Sequence, residues 1–208
     1  MSITESALAL ISIGLIQLLA VISPGPSFLI VARTAVARSR GDGIRLAVGM
    51  AAGTVIWSSA ALIGLNSVFK AMPLVFTVMK AVGALFLLWI AWQTVKHAKD
   101  PLEINVAGDV VSRNPYLQGF LTQISNPKVA VFFGSIFIAI LPADVPGWMV
   151  IGLITIVSFN EFWWYSAVAI CCGSAPIRAY YIKIKSTVDR VTGLFLGGLG
   201  IKLLVDAA

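Results

Sequence analysis

The chain reads as an all-α integral membrane protein: six transmembrane helices in a 3+3 inverted repeat, with helices 1 and 4 broken at proline motifs. Three observations predict this. Hydrophobic residues make up 59% of the 208 positions and charged residues 12%. Ordinary globular domains carry about 25% charged residues, so this chain has too few polar side chains to cover a soluble globule. The apolar residues fall into six runs, each approaching the roughly 20 residues that a spanning helix needs. Two of the runs hold proline where a regular helix cannot continue: Ile22-Ser23-Pro24-Gly25-Pro26-Ser27 and Asn126-Pro127-Lys128.

The first run, near 7–32, lies in a stretch free of charge. Pro24 and Pro26 have no N–H, so the carbonyls of Ala20 and Ile22 lose their intrahelical partners. Freed carbonyls are costly in hydrocarbon, and the break must therefore face protein or a wet cavity. Gly41-Asp42-Gly43 marks a turn before the second run, near 44–65. There Gly49 and Gly53, followed by Thr54 and Trp57, form a small-xxx-small step that predicts close packing against the broken elements. The third run, near 71–95, carries Lys80. In the fourth, near 116–141, Pro127 frees the carbonyl of Gln123. The fifth, 147–172, holds Glu161 between Asn160 and the aromatic run Phe162-Trp163-Trp164-Tyr165, which at that depth reads as bundle packing. Cys171 and Cys172 match no metal spacing and read as small packing residues. The sixth run, near 188–205, is rich in glycine and crowded at its ends by Asp189, Arg190 and Lys202.

Basic residues set the expected orientation. Arg33, Arg38, Arg40 and Arg45 flank the first connection, Lys96, Lys99 and Arg113 the third, and Arg178, Lys183, Lys185 and Arg190 the fifth. The second connection offers only Lys70, and the fourth, Leu141-Pro142-Ala143-Asp144-Val145-Pro146, no basic residue. The positive-inside rule then makes the odd connections cytoplasmic and puts both termini outside. The net charge of +6 sits in these clusters, as topology signals beside anionic lipid rather than a nucleic-acid surface. Glu5 stands where a secretory leader would carry positive charge, so no signal peptide is expected. The mixed-charge stretch 99–114 divides the chain into a repeat over 1–98 and a second over 115–208. Three helices per half is the arithmetic of an inverted repeat. Pro26 pairs with Pro127, Trp57 with Trp164 and Ala84 with Gly193, at separations that rise slowly and in order.

Two proline breaks in corresponding places point to a transport site, although two kinked helices that merely pack well would share the pattern. Lys80, Lys128 and Glu161 are the ionisable residues expected within the bilayer, where each costs about 2.5–3.5 kcal/mol. Lys128 lies about ten residues, or roughly 15 Å, from the nearer end of its run, beyond snorkelling reach. Lys80 is near enough to its end for snorkelling to remain an equal reading. Glu161 needs a partner, with Lys128 and Lys80 the candidates. Desolvation disfavours its charged form, so it is also a candidate proton carrier. His97, beside Lys96 and Lys99, reads as a solvated residue. The half-helix after Pro26 offers free N–H groups that suit a carboxylate, and the half before Pro24 offers carbonyls that suit an ammonium group. A small zwitterion such as an α-amino acid satisfies both. Ser23, Pro24, Gly25, Pro26, Ser27, Gly53, Asn126, Pro127 and Lys128 are the expected substrate-binding residues, and Glu161 and Lys80 the expected coupling residues. There is no Gly-x-Ser-x-Gly, no phosphate-cradling loop and no His/Cys/Asp cluster, so neither catalysis nor a metal or other cofactor is expected. A cation exporter of related architecture would need several intramembrane acids. A non-transporting scaffold would tolerate apolar substitution at the breaks.

Ser23-Pro24-Gly25-Pro26 followed by Arg33 resembles the signature of the LysE/RhtB-type amino-acid exporters. Gly41, Gly43, Gly49 and Gly53, Lys80 with Gly83, Asn126-Pro127-Lys128 before Phe132-Phe133, and Leu141-Pro142 continue the likeness along nearly the whole chain. Ala35-Val36-Ala37-Arg38-Ser39-Arg40, Phe133-Gly134-Ser135 and Glu161 are most similar to the threonine/homoserine exporter branch. Trp89-Ile90-Ala91 departs from many relatives, which carry a tyrosine three residues earlier and a glycine at the last position. The resemblance implies a multi-pass protein of the bacterial plasma membrane that exports amino acids by exchange for protons. It implies small-molecule substrate, protons and lipid as partners, and admits a homo-oligomer.

Overall fold

A computed structural model describes residues 3–23, 25–71, 73–100, 114–141, 145–172 and 174–205. Among these residues the secondary structure is helical, in eight helices: α1 (Ile3–Ile22), α2 (Pro26–Ala37), α3 (Arg40–Ala71), α4 (Pro73–Lys96), α5 (Pro115–Ile124), α6 (Pro127–Ile140), α7 (Gly147–Cys172) and α8 (Ala175–Val205). The first and fourth apolar runs are each two helices, divided at the proline motifs. Both α5 and α6 begin on an Asn-Pro pair. Asn114 Oδ1 accepts the Tyr116 N–H at 3.0 Å, and Asn126 Oδ1 accepts the Lys128 N–H at 3.0 Å. The asparagine caps the free N–H groups while proline occupies the first helical position, where its missing donor costs nothing.

Two expectations need correction. Gly41-Asp42-Gly43 is not a turn but the first turn of α3, because Ser39 Oγ accepts the Asp42 N–H at 3.0 Å and starts the helix there. Gly43 is required for packing instead, since a Cβ on it would stand 2.6 Å from that of Ala169. The fifth connection is much shorter than the basic residues imply, and Lys183, Lys185 and Arg190 lie inside α8. That helix tolerates its charges because Lys185 Nζ and Asp189 Oδ2, four residues apart, pair at 2.9 Å. Most of the 99–114 connector lies outside the described residues.

Three described stretches are long and apolar enough to cross a membrane: Thr4–Ile22, Arg40–Gly64 and Gly147–Cys172. Pro26–Ala37, Ala81–Lys96 and Lys128–Phe137 are shorter apolar helices.

Helix α3 packs on α5 and α7, α4 on α8 and α6, and α1 on α7. Gly49 and Gly119 let α3 and α5 meet backbone to backbone: a Cβ on Gly49 would run into the Tyr116 carbonyl, and one on Gly119 into the Leu46 carbonyl. The small-xxx-small step thus seats the second apolar run on a broken element, as expected. Two large apolar clusters, with a small third at Ala84 and Leu87, form the interior among the described residues. Ile13, Phe133, Phe137 and Leu153 belong to one, and Phe28, Val31, Leu46 and Met50 to the other. Residues beside the first break divide between them, Ala20 joining the former and Val21 the latter.

Candidate functional site

The two breaks meet. Asn126 Nδ2 donates to Ser27 Oγ at 2.9 Å, Ser27 Oγ donates to Gln123 Oε1 at 3.3 Å, and Gln123 Nε2 donates to Thr54 Oγ1 at 2.8 Å. All four side chains are buried, so one polar chain ties α2, α3 and the α5–α6 junction together within an apolar bundle. Gly53 stands at its edge, where a Cβ would lie 2.7 Å from that of Gln123.

Proline arithmetic identifies the orphaned carbonyls, and the structure shows what satisfies them. Lys128 Nζ donates to the Ala20 carbonyl at 3.0 Å and to the Ser23 carbonyl at 3.5 Å. Tyr181 Oη donates to the Ile22 carbonyl at 3.2 Å. The first break is therefore closed by side chains from α6 and α8. The second closes locally: the Gln123 carbonyl accepts the Asn126 N–H at 3.2 Å. Lys128 places its positive charge at the carbonyl end of α1, the negative end of that helix's dipole.

Glu161 is 3% exposed. Its Oε1 accepts from Gln17 Nε2 at 3.4 Å, and its Oε2 is buried with no hydrogen-bond partner. Lys128 forms no ion pair with it, being turned to the α1 carbonyls, and the Lys80 side chain lies outside the described residues. Gln17 is itself held, accepting from Asn160 Nδ2 at 2.8 Å and donating to the Val157 carbonyl at 3.3 Å. The aromatic run next to Glu161 splits: Trp163 faces outward and Tyr165 is buried.

Two cavities flank this arrangement. The smaller, about 30 Å³, lies among Gln17, Phe132, Glu161 and Tyr165. The larger, about 320 Å³, is lined by Gly25 and Pro26, by residues of α4, and by Lys185 and Asp189 of α8. Asn126 and Lys128 line both. Asp189, 4% exposed, accepts from Ser23 Oγ at 3.3 Å as well as from Lys185. Lys185 Nζ also donates to the carbonyls of His97 and Ala98 at 3.0 and 3.4 Å, so His97, though exposed, borders the larger cavity. Lys128 thus shares the smaller cavity with one buried acid, Glu161, and the larger with another, Asp189.

Of the expected site residues, Ser23, Gly25, Pro26, Ser27, Gly53, Asn126, Pro127, Lys128 and Glu161 come together around the breaks. Pro24 lies outside the described residues. Gln17, Gln123, Tyr181, Lys185 and Asp189 join the site without having been singled out. A signal existed for three of them: Gln17 is a lone amide in a charge-free run, and Lys185 and Asp189 have the i,i+4 spacing of a helical ion pair. Among the described residues no three His, Cys, Asp or Glu side chains gather as metal ligands do.

Comparison with known proteins places the chain among efflux proteins by sequence. The chain is 27% identical over 199 residues to a threonine efflux protein of Salmonella typhimurium, covering 94% of this chain and 97% of that one. The threonine efflux protein of Escherichia coli K12 is 27% identical over 200 residues with the same coverage. A leucine efflux protein of Klebsiella pneumoniae is 24% identical over 188 residues, covering 85% of this chain and 84% of that one. No solved structure matches. The family model described as LysE type translocator matches residues 18–207, both breaks included and only the last turn of α1, and the chain belongs to that family.

Proposed function

We propose that this protein is a secondary-active exporter of small neutral amino acids across the bacterial inner membrane, proton-coupled and working by alternating access. The observation that carries the reading is the junction of the two broken helices, where one half-buried lysine borders two cavities, with Glu161 lining one and Asp189 the other. Lys128 suits a substrate carboxylate. A free ammonium-binding acceptor and a protonatable acid are what an exchange of zwitterion for proton needs, and Glu161 carries a buried oxygen with no partner. Ser23, Gly25, Ser27 and Asn126 surround the same point. The threonine and leucine efflux proteins among the relatives favour a neutral α-amino acid as cargo.

Helix pairing supports a 3+3 inverted repeat, with α1/α2, α3 and α4 in one half and α5/α6, α7 and α8 in the other. Exchanging the halves maps the α3–α7 and α4–α8 contacts onto themselves, and the packing of α7 on α1 and α2 onto that of α3 on α5 and α6. The basic clusters favour cytoplasmic odd connections with both termini outside. In proteoliposomes loaded with a panel of amino acids that includes threonine and leucine, an imposed proton gradient is expected to accelerate the exit of a neutral one. Glu161→Gln is expected to uncouple exit from the gradient; full gradient-driven export by that variant rejects the coupling role.

A further inference from the structure

The two cavities differ in size by an order of magnitude, and their donors and acceptors differ in kind. About 30 Å³ beside Glu161 is room for two or three water molecules. It has no room for the backbone of an amino acid. About 320 Å³ on the other side of Lys128 reaches the volume of small-molecule pockets. That larger space carries its own acceptors. Asp189 lines it, fixed by Ser23 and Lys185 but with lone pairs to spare, because a carboxylate accepts at about four sites. Gln93 lines it too, and its Oε1 is buried with no partner. Across the cavity stands Lys128, whose ammonium reaches Ser23, the same residue that donates to Asp189. Phe86, Trp89 and Ile90 give the cavity one apolar wall, while Thr94, His97, Asn126 and Lys185 also line it.

Resting on the exporter reading, we infer that substrate and proton use separate compartments: Asp189 and Gln93 bind the substrate's ammonium group in the larger cavity, Lys128 binds its carboxylate, and Glu161 serves the proton alone. The wall of Phe86, Trp89 and Ile90 then takes an uncharged side chain. A buried orphan acceptor is costly until a donor reaches it, and an ammonium group between Gln93 Oε1 and Asp189 supplies one. An acid in a cavity that holds only a few waters, by contrast, has space to exchange a proton and nothing larger. The two functions communicate through Lys128, the cation common to both cavities.

The test compares an amino acid with the same acid carrying hydroxyl in place of amine, read as the ligand-induced rise in unfolding temperature of the detergent-solubilised protein, which needs no transport. Threonine and leucine are each set against their 2-hydroxy analogues. Wild type is expected to bind the amine at least tenfold more tightly than the hydroxy acid. Asp189→Asn is expected to lose that discrimination, Gln93→Leu to reduce it, and Glu161→Gln to keep it. Because Asp189→Asn leaves Lys185 unpaired, Lys185→Met/Asp189→Asn serves as the version with no orphaned charge and is expected to behave alike. Retained discrimination in both Asp189 variants, or its loss in Glu161→Gln, overturns the inference while leaving export intact. If wild type is stabilised by neither amino acid, nor transports either, the exporter reading falls and this one with it.

Discussion

Replacing Lys128 with methionine separates a structural lysine from a working one. The ammonium satisfies two carbonyls of the α1 end, at 3.0 and 3.5 Å. Losing it strands both, at about 1–3 kcal/mol each. Against this, the variant no longer holds a charge at membrane depth, which releases about 2.5–3.5 kcal/mol. The balance runs from roughly 1.5 kcal/mol stabilising to roughly 3.5 kcal/mol destabilising. Methionine also keeps most of the length of the side chain, so the bundle around it need not collapse. Lys128→Met is therefore expected to fold, with its unfolding temperature in detergent within about 15 °C of wild type, and to lose amino-acid export from proteoliposomes. Export at half the wild-type rate or more would refute the reasoning, because the lysine would then do no more than cap a helix. A protein that cannot be extracted folded would show that the carbonyl cost was underestimated.

Other perturbations test single contacts. Tyr181→Phe strands the Ile22 carbonyl and is expected to cost about 1–3 kcal/mol in thermal unfolding, with substrate selectivity unchanged. Gly49→Leu forces α3 off the α5 backbone. An overpacked contact costs about 1–3 kcal/mol where side chains can adjust, and a carbonyl cannot, so sharply reduced yield of folded protein is the expected result. Asn126→Ala removes both the α6 cap and the donor to Ser27, for which about 1–3 kcal/mol is expected. Gln17→Leu takes away the hydrogen-bond donor that holds Glu161; the pH profile of export, rather than its half-saturating substrate concentration, is expected to change.

What the sequence made legible follows from what proline and asparagine do to neighbouring backbone. Both breaks could be placed because a missing N–H has a fixed consequence four residues earlier, and Asn-Pro is a helix start. The packing of α3 on α5 was visible because only glycine permits it. Long-range assignments failed where one sequence feature had two physical readings. Arg178 to Arg190 looked like a loop because charges usually mark water, yet Lys185 and Asp189 neutralise each other inside α8. Lys128 looked like the partner of Glu161 because opposite charges attract. The freed α1 carbonyls, already deducible from Pro24, offered the ammonium a nearer site. Gln17 escaped notice because an amide changes hydropathy little, while its hydrogen bonds to α7 depend on a helix 140 residues away.

The unequal closure of the two breaks gives the junction its direction of control. At Asn126 the backbone satisfies itself, and the α5–α6 corner holds its shape whatever its surroundings do. At Ser23 the carbonyls depend on Lys128 and Tyr181, side chains of the other half of the chain. Any movement that carries α6 and α8 away from α1 must therefore break these bonds together, and the stranded carbonyls would oppose it. Under the exporter reading, a substrate carboxylate at Lys128 would compete for the same ammonium. It would weaken the tie between the halves while it is bound and restore it on leaving. Under the exporter reading, occupancy and the freedom of the halves to move are then linked through one hydrogen-bonded cation, and the reciprocity of linkage requires that opening the bundle change the affinity for cargo. Measured at equilibrium, a crosslink that holds α1 against α6 should weaken amino-acid binding; unchanged affinity would show that the tie through Lys128 carries no such control.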